Sequence, residues 1–295
     1  MAAEHMRTWK IGNMEITRIV EVNNHVDPLE VLLEGGSRDL MKKYDWLFPN
    51  FATPEGDMII SFQCFVLKSP DHQIMLDTCI GNDRKRIFDI FTDMHTSFMD
   101  DLALTGCKPE TIDTVLCSHL HFDHVGWNTH KVDGKWVPTF PNARYLFTRK
   151  EWDHWNKMPR DGGIEAEHLV DSVDPIIEAG LVDFVAPDQE IAEGVRLEPT
   201  PGHTPGHVSV RISSEGEEAV ITGDLMHHPI QFAVPDIPGN FCMDKPLSCE
   251  TRRNFIEKYA DKKVLVIGSH FCDPTAGWII NDGGEFRFET DQGKS

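Results

Sequence analysis

The stretch "CSHLHFDHVG", Cys117 to Gly126, sets three histidines and an aspartate, His119, His121, Asp123 and His124, within six positions. Packed this tightly, three imidazoles would repel on protonation and would be hard to bury without a shared partner. A metal ion is the partner that fits. The preceding "TIDTVLCSH" reads as a buried strand ending at Ser118, so the cluster lies in the chain leaving it. In extended chain, residues two apart point to the same side, and His119 and His121 can share an ion. Asp123 and His124, being adjacent, are expected to point apart and to serve a second one.

Three further polar signals flank strand-like runs. "PTPGHTPGH" puts His203 and His207 in a Pro/Gly loop before "HVSVRIS"; "VITGDLMHH" ends a strand at Asp224; "VLVIGSHF" ends another at His270. Imidazole nitrogen and carboxylate oxygen suit Zn(II), Mn(II), Fe(II) or Co(II) without any thiolate. Several strands thus deliver ligands to one edge. Other strand-like runs are "MEITRIVEV", "MIISFQCFVLKS", "QIMLDT", "ARYLFT" and "EFRFET". Helical patterns fall at Arg84 to Leu104, Arg149 to Lys157, Gly163 to Ala179 and Ser248 to Tyr259. Without strict β-α alternation, this order predicts an α/β (α+β) fold in which two mixed sheets pack face to face with helices outside. We expect a single domain over 1–295, with an irregular N-terminal insert at about 23–58 and a helical insert at about 152–190.

His119-x-His121-x-Asp123-His124, followed in order by "GHTPGH", "GD" and "GSH", resembles the metallo-β-lactamase-fold hydrolases, from "CFVLKSPDHQIMLDT" through "FRFE". The resemblance implies a four-layer αββα sandwich and two divalent ions per chain, Zn(II) foremost. It implies that one ion takes His119, His121 and His203, that the other takes Asp123, His124 and His270, that Asp224 bridges them, and that Asp77 is structural. Cys79 stands where the family usually has glycine. His207 is expected to make a structural hydrogen bond. His25, His72, His95, His130, His154 and His168 match no motif position and read as surface or satisfied core, while His227 and His228 fall at the mouth of the implied site.

Such a pair of ions would share a hydroxide acting as nucleophile on a small, largely uncharged lactone or carboxylic ester, with Asp123 or Asp224 shuttling a proton. "FPNARYLFTRKEWDHW", "GDLMHHPIQF", "TRRNFIEKYA" and "SHFCDPTAGWI" resemble the methyl parathion hydrolase and acyl-homoserine lactone lactonase branch. Those lactonases carry a tyrosine three residues after the bridging aspartate, where this chain has His227, which makes His227 a candidate donor to the substrate oxygen. Phosphotriester hydrolysis and a glyoxalase II-like thioesterase are the alternatives within hydrolases. A binding protein that has lost its chemistry is disfavoured because every ligand position is filled. Trp46, Phe48, Phe51, Met226 and Phe232 are candidate walls of an apolar pocket.

Composition bounds the partners. Lys plus Arg total 28 and Asp plus Glu 48, and 28 minus 48 gives a formal charge of −20. Such acidity disfavours nucleic acid and anionic membrane, leaving a small molecule as partner. Seven dispersed cysteines with no Cys-x-x-Cys pair, and an opening "MAAEHMRTWK" without a signal pattern, suggest a reduced, cytoplasmic protein. The Leu- and aromatic-rich N-terminal stretch suggests a homodimer.

Overall fold

Alternating and continuous apolar runs in the chain become two seven-stranded sheets in the computed structural model, which describes residues 5–161 and 163–290. The chain divides into two compact units, Met1–Glu21 with Phe62–Ala186, and Val22–Ser61 with Pro187–Ser295. The first sheet has the order β1 (Arg7–Ile11), β2 (Met14–Asp27), β3 (Met58–Lys68), β4 (Gln73–Leu76), β5 (Thr114–Leu116), β8 (Arg144–Thr148), β9 (Val182–Val185). A separate hairpin, β6 (Thr129–Val132) and β7 (Lys135–Pro138), follows the histidine cluster. The second sheet runs in chain order through β10 (Glu190–Ala192), β11 (Val195–Pro199), β12 (Val208–Ser214), β13 (Glu217–Ile221), β14 (Val264–Ile267), β15 (Ala276–Asp282) and β16 (Glu285–Thr290).

Parallel pairing decides where the polar residues emerge. In the first unit β4, β5 and β8 run parallel, so the chain leaves β4 and β5 on the same edge, at Asp77 and at Ser118 and His119. In the second unit β13 and β14 are parallel, and Asp224 and His270 follow them three residues beyond Ile221 and Ile267. The C-terminal ends of parallel strands are where side chains converge on ligands in α/β folds. Each unit has its own core. Val66, Met75, Val115, Cys117, Tyr145 and Phe147 belong to the first, and Phe51, Phe232, Phe271 and Phe288 stack and tilt against one another in the second.

Several expectations are corrected. Arg84 to Leu104 is not one helix: only Phe98–Leu104 is helical, preceded by a 3-10 turn at Asp89–Phe91. Buried ion pairs from Arg84 and Arg86 to Asp171 hold the intervening chain as an ordered loop. The 23–58 stretch holds the end of β2, helices Leu29–Leu32 and Arg38–Met41 and a 3-10 turn at Asp45–Leu47. Helices in the 152–190 stretch stop at Glu178, and β9 then joins the first sheet. All seven cysteines are buried and none is in a disulfide among the described residues, and no helix among them is long and apolar enough to cross a membrane.

Candidate metal centre

In the first unit the histidine cluster turns where β5 ends. His121 is still extended (φ −71°, ψ 160°) and caps the short helix Phe122–Val125. Gly126 closes that turn because a Cβ there would sit 2.0 Å from the Ile80 backbone. His119 Nε2 faces His121 Nδ1 at 3.0 Å, as the extended spacing requires. The helical turn brings Asp123 and His124 together instead of apart, with Oδ2 3.6 Å from Nε2.

Hydrogen bonds fix which ring nitrogens carry protons. Asp77 accepts from the Ser118 backbone N–H (2.7 Å) and from the Ser118 hydroxyl (2.9 Å). It also accepts from His124 Nδ1 at 2.9 Å, and Nε2 of that ring is the nitrogen that faces Asp123. With its proton given to Asp77, Ser118 Oγ can only accept from His119 Nδ1 at 3.1 Å, and His119 Nε2 is the nitrogen that faces His121. Both rings are buried, His119 0% and His124 1% exposed.

The second unit repeats this logic. His270 Nδ1 donates to the Ser61 carbonyl at 3.0 Å, and its Nε2 lies 3.1 Å from Asp224 Oδ1. His203 Nε2 lies 3.3 Å from Asp224 Oδ2. His207 makes the structural contacts expected of it: Nδ1 to Thr200 and Nε2 accepting the Asp224 N–H at 2.8 Å. His228 is core, bonded to the Phe51 carbonyl at 2.7 Å, and burial pulls it down to about 4. His227 Nε2 stands 3.2 Å from Asp224 Oδ2 without the alignment of a hydrogen bond, and neither ring nitrogen has a hydrogen-bond partner among the described residues.

Imidazole nitrogens gathered round a buried carboxylate suit a shared proton or cation between them. His203 and His270 meet Asp224 in one unit, and in the other His124 meets Asp123 beside the rings of His119 and His121. All are nitrogen and oxygen donors of the borderline kind. The donor set fits divalent metal.

The metallo-β-lactamase superfamily model matches residues 63–270. The chain belongs to the metallo-β-lactamase superfamily. An N-acyl homoserine lactonase of Bacillus cereus is 25% identical over 181 residues, 57% of this chain and 65% of that protein. One of Bacillus thuringiensis is 24% identical over 185 residues, 58% and 66% of the two chains. The chain thus spans just under two thirds of the length of these curated relatives. Among solved structures, a hydrolase of the β-lactamase superfamily, AbOPH, superimposes with TM-score 0.80 at 23% identity over 99% of both chains. AidC, a dizinc quorum-quenching lactonase with its product, superimposes with TM-score 0.79 at 23% identity over 97% of both. These likenesses show the shared metallo-β-lactamase fold of two large mixed sheets.

Of the pocket candidates on this metallo-β-lactamase scaffold, Phe51, Met226 and Phe232 are 0% exposed, and Phe51 and Phe232 belong to the aromatic core of the second unit. Trp46 and Phe48 are half-buried. Three residues without a motif hold the histidine cluster from beneath. Glu151 accepts from the Leu120 N–H (3.1 Å) and from Trp155 Nε1 (2.6 Å), and His168 bonds the Leu120 backbone. Trp155 meets the rings of His121 and His168 edge-on. The i, i+4 spacing of Glu151 and Trp155 in the helix Arg149–Trp155 was the one signal for this clamp.

Proposed function

We propose that both units act as one hydrolase domain holding two divalent metal ions, and that it opens small, largely uncharged lactones or carboxylic esters. In this reading one ion takes His119, His121 and His203, the other Asp123, His124 and His270, and Asp224 serves both. The observation that supports it is the set of buried imidazoles gathered at buried carboxylates, His203 and His270 at Asp224 and His124 at Asp123, each with its other ring nitrogen held by a second group. Family membership and the lactonase relatives support it. When bound, such ions supply Lewis acidity toward the acyl oxygen and an activated water near neutral pH. Asp123 Oδ takes the proton of the attacking water and returns it to the departing alkoxide oxygen, so that water adds across the acyl C–O bond to give an acid and an alcohol. His227, with ring nitrogens uncommitted to hydrogen bonds among the described residues, donates to the acyl oxygen.

An apolar flank supports an uncharged substrate. Phe122, between His121 and Asp123, lies 6.1 Å from the ring of Phe88 and 5.8 Å from that of Phe91. Phe62 packs on Phe91 at 4.7 Å. Beside them Ile87, Phe88 and Ile90 are 48%, 39% and 62% exposed, on the loop that Arg84 and Arg86 anchor. A pre-formed apolar surface next to the candidate ligands suits the aliphatic part of a substrate. In an ester series each added methylene then gains up to about 0.8 kcal/mol, roughly fourfold in kcat/KM. Ile90→Asp is expected to flatten that dependence without changing kcat on the shortest ester; an unchanged slope removes the loop from the substrate site.

The reading as a whole is tested by elemental analysis of protein purified without added metal, with γ-lactones, aryl esters and aryl phosphotriesters assayed before and after chelation. About two ions per chain and chelator-sensitive turnover of lactone or ester are expected. Preference for the phosphotriesters moves the substrate class. No metal and no turnover after reloading overturns the reading.

A further inference from the structure

The helix Lys245–Tyr259 is capped by Asp244, which accepts from the Leu247 N–H at 3.0 Å, and buries Ser248, Cys249, Arg252, Phe255, Ile256 and Tyr259 along one stripe. Ser248 and Arg252 are one turn apart on that stripe, within reach of each other. Arg252 is 0% exposed, and burial lowers its guanidinium from the ordinary arginine value. Nη1 donates to the carbonyls of Pro235 (2.8 Å) and Ile237 (3.1 Å), and Nε to that of Leu225, the neighbour of Asp224, at 3.3 Å. Nη2 donates to Ser248 Oγ at 3.3 Å. With its oxygen engaged as acceptor, the Ser248 hydroxyl can give its proton to Cys242 Sγ, 3.2 Å away. Cys242 Sγ lies 3.7 Å from His203 Nδ1. The Met243 N–H donates to the His203 carbonyl at 2.9 Å, so one loop grips both the ring and the main chain of His203. Gly202 permits this, since a Cβ at its φ of +128° would meet the Ser248 nitrogen at 2.4 Å.

We propose that Arg252, Ser248 and Cys242 form a relay that positions His203, the Cys242 sulfur accepting the Nδ1 hydrogen so that Nε2 is presented to metal. The inference rests on the metal-site reading above. His124 and His270 give the same hydrogen to a carboxylate and to a carbonyl, acceptors that raise the donor strength of a metal-bound imidazole. A thiol sulfur is a weaker acceptor than either. His203 is therefore the least polarised of these imidazoles, and the ion it serves is the more weakly held of the two. The relay also ties His203 to Asp224, because the same guanidinium holds Leu225.

The test is a competition titration of Zn(II) against a chromophoric chelator in wild type, Cys242→Ala and Cys242→Ser. Cys242→Ala is expected to weaken one ion by about 10- to 100-fold and to leave the other unchanged, with Cys242→Ser between the two. In Co(II)-loaded protein, the shifted Nδ1–H resonance of His203 should exchange with solvent faster than in wild type both in Cys242→Ala and in Cys242→Val, which keeps the packing volume and lacks the acceptor. Should the alanine variant not fold, the serine variant carries the same comparison. Wild type with two ions and a Cys242→Ala variant with unchanged affinities and exchange overturns the relay alone. Wild type that binds no metal overturns the metal-site reading, and the relay with it.

Discussion

Replacing Asp224 with Ala is expected to strip the protein of metal and to lower kcat/KM on its best lactone or ester about a thousandfold, the scale of losing a principal electrostatic group. Asp224 is 3% exposed and stands within 3.3 Å of His203, His227 and His270. Burying a carboxylate costs free energy, and a cation shared with those imidazoles offsets that cost. The two proteins are therefore compared with and without metal. Metal separates them: an ion at a thousand times its Kd stabilises wild type by about 4 kcal/mol, roughly 10 °C in Tm, and the variant should lack that shift. His227→Ala is the counterpart. It should keep its metal and its metal-dependent Tm while losing turnover, since the ring is assigned to the substrate. Elemental analysis, calorimetry with and without Zn(II), and steady-state kinetics check all three. An Asp224→Ala protein that retains two ions, or a His227→Ala protein that loses them, overturns the assignment of roles.

The sequence carried the polar residues at strand ends because their placement follows from short-range rules. An apolar run followed by His119, by Asp224 or by His270 announces a strand that stops at a ligand, and parallel β13 and β14 do bring Asp224 and His270 to one edge. The two large mixed sheets follow from the same runs. Adjacency failed at Asp123 and His124, since the helical turn Phe122–Val125 rotates successive residues by about 100° and not by the 180° of a strand. Helical periodicity also failed at Arg84 to Leu104. Buried pairing of Arg84 and Arg86 with Asp171, some 85 residues away in the chain, outweighs local propensity there. Separation along the chain also hides Glu151 beneath Leu120, 31 residues apart, and Cys242 beside His203, 39 apart. A hydrophobic aromatic is ambiguous for a different reason: Phe51 and Phe88 have the same chemistry, and only burial separates the core ring from the exposed one.

Acid will destabilise the first unit through His168, and the size of the effect can be read as a difference between two proteins. His168 is 4% exposed and its Nε2 has no hydrogen-bond partner among the described residues. Burial, reinforced by Arg86, pulls it down to about 4 from an ordinary 6.5. The folded state therefore takes up the proton later than the unfolded state does. Its contribution to stability is whole above pH 6.5, declines as the pH falls toward 4, and is spent below that. A shift of this size is worth about 3 kcal/mol across the window. In urea unfolding between pH 4.5 and 7.5, His168→Gln should be less stable than wild type at neutral pH, because the contact with the Leu120 backbone and the edge packing on Trp155 are disturbed. The gap should close on acidification, since glutamine takes up no proton. His228, buried in the other unit and also pulled down to about 4, titrates alike in both proteins and cancels in the difference. Parallel stability curves across the whole range would mean that His168 takes up its proton as readily folded as unfolded, and that Arg86 and Asp171 tolerate a third ion beside them.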